Sequence, residues 1–151
     1  MTMLSTVPAG SVLTHRQAEQ VASAIEAAER ETSGEIKVVI TRHCWMTLER
    51  KAAKIFEECR LDRTAERAAV LILIVAANRE FIIRGDQGIN AKVGQDFWDD
   101  VRDVMVDAFS QGAYARGLCD GIQLIADKLA AVFPACETAR NELSNEIVYA
   151  D

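Results

Sequence analysis

The sequence predicts an α/β fold, a three-layer sandwich in which a mixed β-sheet is flanked by helices. Three observations lead there. Apolar residues recur at helical spacing in four separate stretches. Two short β-branched runs, residues 36–41 and 70–75, enclose one of those stretches. A third run, residues 80–84, follows the second after a turn of only a few residues. The resulting order is α-β-α-β-β-α-α. A β-α-β unit implies parallel strands joined by a right-handed crossover. The short turn implies an antiparallel hairpin.

Residues 1–12 carry no pattern and read as a flexible N-terminal tail. Thr14-His15-Arg16-Gln17 fits a capping box, with Thr14 as N-cap and Gln17 reaching back. Ala18, Val21, Ala22, Ile25 and Ala28 then mark the apolar face of a first helix. Ser33-Gly34 ends it, with Gly34 expected at C′. The strand with Ile36, Val38, Val39 and Ile40 comes next. Leu48, Ala52, Ile55 and Phe56 form a second helix, capped by Thr47. The unbroken run 70–75 reads as the central strand, apolar on both faces. Ala77-Asn78-Arg79 turns the chain back into the third strand. Phe97, Val101, Val104, Met105 and Ala108 give a third helix. Leu118, Ile122, Ile125, Leu129 and Val132 give a fourth, which stops before Pro134. Residues 135–151 read as an acidic, weakly patterned C-terminal tail.

Length and composition narrow the function classes. The 151 residues suit one domain with a real core, half of them hydrophobic and only two of them proline. A net charge of −6 argues against nucleic acid, which requires clustered cations. The longest apolar run, residues 68–77, is too short for a bilayer span of about 20 residues. Residues 1–12 lack the basic n-region and apolar core of a signal peptide, so a cytoplasmic location is expected. Cys44, Cys59, Cys119 and Cys136 form no C-x-x-C pair and, with His15 and His43, no zinc spacing. They are expected as free, buried thiols.

Topology makes a geometric prediction about polar residues. Parallel first and second strands start at one end of the sheet, which brings Glu35 near residues 62–67. The third strand returns to that end with Arg84 and Asp86. Glu35, Asp62, Arg63, Glu66, Arg67, Arg84 and Asp86 should therefore meet at one rim. Crowded carboxylates need cations beside them. Two sources exist. A divalent ion such as Ca2+ or Mg2+ would take oxygens from Glu35, Glu66 and Asp86. Alternatively, the arginines complete the network themselves. Asp86 sits in Gly85-Asp86-Gln87-Gly88, where a strand gives way to a helix, so it is also a helix-cap candidate.

Other polar features read as structural. Asp96, Asp99, Asp100 and Asp103 share one helix face and are expected to be solvated. Phe97 and Trp98 beside them read as core aromatics. His43 and Cys44 are adjacent, so on a strand they would face opposite ways and form no dyad. There is no G-x-S-x-G elbow, no Walker A and no G-x-G-x-x-G, and no organic cofactor is expected.

Several stretches resemble the TPM domain family: Thr32-Ser33-Gly34-Glu35-Ile36 with Val38-Val39; Arg63 to Glu66-Arg67 before Val70-Leu71-Ile72; Asn78-Arg79 followed by Phe81; Gly85-Asp86-Gln87-Gly88-Ile89; Val93-Gly94 with Phe97-Trp98; and Gly112, Tyr114-Ala115, Gly117-Leu118 and Gly121-Ile122. The resemblance covers residues 13–134, which it makes a TPM domain. It implies an α/β sandwich with a mixed sheet. Family members in the thylakoid lumen are assigned acid phosphatase activity and photosystem II repair, and some bacterial members bind calcium or similar ions. This chain looks like the soluble, cytosolic branch. One departure stands out. Relatives often place Asp-Asn-Gly or Asn-Gly just before the central strand, where this chain has Arg67-Ala68-Ala69. Alanine there removes a side-chain oxygen and disfavours φ > 0. The exported branch also lacks the aspartate of Gly85-Asp86-Gln87-Gly88, so its site does not map directly onto Asp86.

Three readings follow. The first is a divalent-ion module with a regulatory or interaction role toward a protein partner, using Glu35, Glu66 and Asp86. The second is a metal-assisted phosphatase in which Arg63 or Arg67 clamps the phosphate. The third is an ion-free interaction domain.

Overall fold

Strand β2 (Ala69–Val75) is buried at every position, as its apolar run requires. The computed structural model describes residues 13–135 and 147–150. In it β2 lies between β3 (Glu80–Gly85) and β1 (Glu35–Thr41), and β4 (Val148–Ala150) pairs with the far side of β1. β1 runs parallel to β2, with Glu35 opposite Ala69 and Thr41 opposite Val75. β3 runs antiparallel to β2, with Val70 opposite Gly85 and Val75 opposite Glu80. The mixed sheet of the prediction is present.

Strand alternation sorts the buried residues into two layers. Ile36, Val38, Ile40, Val70, Ile72 and Ile74 belong to the larger core, with α1 (His15–Glu31), α4 (Gln95–Ser110) and α5 (Tyr114–Leu129). Val39, Leu71 and Leu73 face the other way, onto Ala52, Ile55 and Phe56 of α2 (Leu48–Glu58) and onto Leu61. Helix α5 packs against both α1 and α4. A one-residue slip of β2 would exchange these two faces, so the pairing register is strongly specified.

Both predicted helix starts are present. Thr14 accepts from the Gln17 N–H at 3.1 Å, and the Thr14 N–H donates to Gln17 Oε1 at 2.9 Å. Thr47 Oγ1 accepts from the Arg50 N–H at 3.3 Å.

Local expectations change at five places. Helix α1 ends with Thr32 as C-cap in an extended conformation, and Gly34 is not left-handed. Thr32 Oγ1 donates to the Phe133 carbonyl at 2.5 Å, and a Cβ on Gly34 would stand 3.1 Å from the Ala68 oxygen. Gly34 thus sits in a tightly packed spot rather than in a left-handed turn. The left-handed residue before β2 is Arg67 itself, with φ 54, so the two alanines carry no such strain. His43 and Cys44 lie in the β1–α2 loop, not on a strand; the His43 ring lies 5.5 Å from that of Trp45. A four-residue helix, α3 (Gln87–Asn90), separates β3 from α4. The expected C-terminal tail supplies β4, which pairs only with residues 39–41 of β1. The predicted N-terminal tail, residues 1–12, and Cys136 lie outside the described residues.

Candidate functional site

The rim forms where β1 and β2 begin and β3 ends. Glu35 stands opposite Ala69, and Val70 stands opposite Gly85, so topology does bring the predicted region together. Within it the side chains divide among separate partners.

Asp86 is the most committed. Its backbone N–H donates to the Ala69 carbonyl at 2.9 Å, continuing the sheet bonding by one residue. It then acts as N-cap of α3, with Oδ1 accepting from the Gln87 N–H at 2.8 Å. Arg67 grips the same carboxylate with two parallel bonds, Nε to Oδ2 at 2.6 Å and Nη2 to Oδ1 at 3.0 Å. Asp86 is only 6% exposed, and a buried carboxylate is costly unless it is paired in this way. The pairing favours the charged guanidinium: the Asp86 hydrogen bond raises the Arg67 pKa, burial opposes it, and the charges of Asp86 and Asp62 add to it. Gly88 makes the approach feasible. A Cβ at that position would collide with the Glu66 carbonyl oxygen and stand 2.5 Å from that of Arg67. Gly85 has a similar role under the Trp98 ring, whose indole N–H donates to Asn90 Oδ1 at 3.1 Å. The glycine-bracketed junction therefore joins three segments: the Glu66–Arg67 turn, α3 and α4.

Glu66 is exposed and accepts from the Ser33 hydroxyl at 2.7 Å. Glu35 is buried beside Glu29, whose pKa it raises. Arg63 is exposed on the 3₁₀ turn Leu61–Arg63. Arg84 lies over the Phe56 ring at 5.5 Å, on the α2 side of the sheet. Asp62 is half-buried, and its Oδ1 has no hydrogen-bond partner. Among the described residues, no group of three or more His, Cys, Asp or Glu side chains is placed to hold a metal ion.

Glu29 is the residue that sequence reasoning missed. Its Oε2 accepts from the Ile36 N–H at 2.9 Å, on a part of β1 that precedes the first β4 pairing at Val39. Burial, above all, raises its pKa from 4.5 to about 8. The neighbouring Glu35 carboxyl group also raises it, while the Ile36 N–H and Lys37 oppose the rise. Burial and a neighbouring carboxylate both favour the neutral, protonated form of such a group. The signal was present in the sequence: Glu29 lies four residues after buried Ile25, where the apolar stripe of α1 should continue.

The acidic face of α4 is solvated, as expected. Arg102 meets Asp99 at 3.4 Å and Asp103 at 3.3 Å, and Lys128 meets Asp100 at 3.2 Å. Phe97 is core; Trp98 is half-buried and packs against that core. Cys44, Cys59 and Cys119 are free and only partly buried. No described helix is long and apolar enough to cross a membrane.

Comparison with known proteins agrees with this architecture. The family model described as the TPM domain matches residues 7–128. No functionally curated protein matches. The NMR structure of the BA42 protein from the psychrophilic bacterium Bizionia argentinensis superposes with a TM-score of 0.88 at 35% identity, covering 91% of this chain and 95% of that one. The N-terminal domain of a P. gingivalis protein gives 0.67 at 18% identity, over 81% of this chain and 79% of that one. The N-terminal domain of the cg2496 protein from Corynebacterium glutamicum gives 0.62 at 11%, over 82% and 78%. The last two are similar in fold alone. With a family match over most of its length and the same mixed sheet, the chain belongs to the TPM domain family.

Proposed function

We propose that this TPM domain is an ion-free interaction module whose acidic rim is neutralised by its own arginine. The two-bond grip of Arg67 on Asp86 carries the reading. A divalent ion on Asp86 would have to displace a guanidinium that already satisfies both carboxylate oxygens. Glu66 is also engaged, by the Ser33 hydroxyl, and Glu35 is buried beside Glu29. The donor set Glu35, Glu66 and Asp86 therefore does not fit a Ca2+ or Mg2+ ion as it stands. The phosphatase reading depends on the same ion. With Arg67 engaged, it would leave Arg63 as the phosphate clamp. Three free cysteines, Cys44, Cys59 and Cys119, support a reducing, cytoplasmic location.

Thermal melting in millimolar Ca2+, Mg2+ or Mn2+ against chelator tests the proposal. The expected result is the same Tm in all four conditions. An ion present at one hundred times its Kd stabilises a fold by about 2.7 kcal/mol. A rise in Tm of that order, lost in Asp86→Asn, would restore the divalent-ion reading.

A further inference from the structure

A groove of about 200 Å3 opens at the other end of the hairpin, away from the rim. Ile74, Arg79, Phe81, Val106, Phe109 and Tyr114 line it. Its walls are aromatic and aliphatic. Phe81 meets Phe109 edge-on at 5.1 Å between ring centres, and Phe109 meets Tyr114 at 5.2 Å. Val106 is 47% exposed, an apolar side chain that the fold leaves uncovered.

Against this apolar surface stands one exposed cation. Arg79 has φ 54 in the β2–β3 turn, and its N–H donates to the Ala76 carbonyl at 3.3 Å. Its charge is felt by the Tyr114 phenol, whose pKa burial raises and Arg79 lowers. Both residues line the groove. The remaining polar lining is Ser110 and Glu80. Ser110 Oγ donates to the Asp107 carbonyl at 2.8 Å. Glu80 begins β3 and borders the groove beside Arg79, its side chain alternating with that of Phe81 along the strand.

An apolar cleft with a few convergent polar groups is the usual form of a small-molecule site. The space corresponds to about seven water volumes, enough for one ring and a short chain but too little for a nucleotide. One guanidinium matches one carboxylate. We propose that this groove binds a small amphipathic carboxylate, an aryl or branched-alkyl acid. Its apolar body rests on Phe81, Val106 and Phe109, and its carboxylate meets Arg79 and the Tyr114 hydroxyl.

The test is titration of the 15N-labelled protein with 3-phenylpropionate and, separately, with its uncharged amide. Saturable shifts confined to residues 74, 79–81 and 106–114 are expected, with the acid binding at least tenfold more tightly than the amide. Arg79→Asn, which tolerates the same backbone conformation, should remove that preference without weakening the amide. Val106→Glu, at an exposed helix position, should abolish binding of the acid and leave the spectrum folded. The proposal is overturned by shifts that do not saturate, by shifts centred elsewhere, by equal binding of acid and amide, or by an acid preference that survives in Arg79→Asn.

Discussion

Gly88→Ala separates a structural junction from an adaptable site. The new Cβ would meet two backbone oxygens of the Glu66–Arg67 turn, that of Arg67 at 2.5 Å and that of Glu66 closer still, with the Arg67 carbonyl carbon at 2.9 Å. An unstrained contact of this kind needs more than 3 Å, and backbone oxygens cannot rotate away as a side chain would. Overpacking against such a wall costs about 3 kcal/mol, the upper end of the usual range. Alanine recovers up to about 1 kcal/mol through its lower conformational entropy in the unfolded chain. The net loss is about 2 kcal/mol, or a Tm lower by roughly 4–8 °C for a chain of this size. Circular dichroism melts and urea unfolding measure it. The turn must also shift away from α3, which stretches the Arg67–Asp86 pair; the Arg67 side-chain Nε–H resonance in 15N spectra would report that change. A variant as stable as the parent, with that resonance unmoved, would refute the close approach and with it the structural role of this glycine.

Three further changes follow from the same geometry. Asp86→Ala should cost about 1 kcal/mol more than Asp86→Asn in urea unfolding, because only asparagine keeps the α3 cap; equal losses would deny the cap. Gly94→Ser should stabilise the protein by about 0.3–0.5 kcal/mol, since Gly94 caps α4 without a side-chain bond and a Cβ there meets nothing within 4 Å; a lower Tm would contradict it. Glu29 has a pKa raised from 4.5 to about 8, so the folded state keeps a proton that the unfolded chain releases, and this contribution is complete below pH 4.5 and lost as pH rises through 8. After solvent screening at this half-buried group, the loss should be about 1–2 kcal/mol, and Glu29→Gln should flatten it in urea unfolding between pH 5.5 and 9; an unchanged slope in the variant would contradict the assignment.

The parts of the fold legible in the sequence were those determined by local chemistry over several residues. The β-branched run 70–75 read as a buried strand, and Thr14 and Thr47 could be read as caps from their neighbours alone. What escaped depends on tertiary partners. β4 is three residues long and is defined by its pairing with residues 39–41 of β1. Gly34 looked like a helix stop, yet it packs tightly against the Ala68 carbonyl and Leu129 across the fold.

The candidate site follows the same division. Strand direction was enough to bring Arg67 and Asp86 to one rim, because parallel and antiparallel pairing fixes which ends meet. It could not say which cation would balance the carboxylates, since an arginine and a divalent ion satisfy the same charge. That choice depends on reach and orientation. Arg67 adopts the left-handed conformation, φ 54, just before the two alanines that stand where relatives place Asn-Gly. Such a backbone costs a non-glycine residue about 1 kcal/mol or more and persists when its surroundings repay it. Here the repayment is visible in the fork on Asp86, the N–H bond to the Thr64 carbonyl at 3.1 Å, and Gly88 pressed against the turn. An arginine held in a strained conformation to reach one buried carboxylate is part of the fold, and an ion would have to dismantle that arrangement before it could bind.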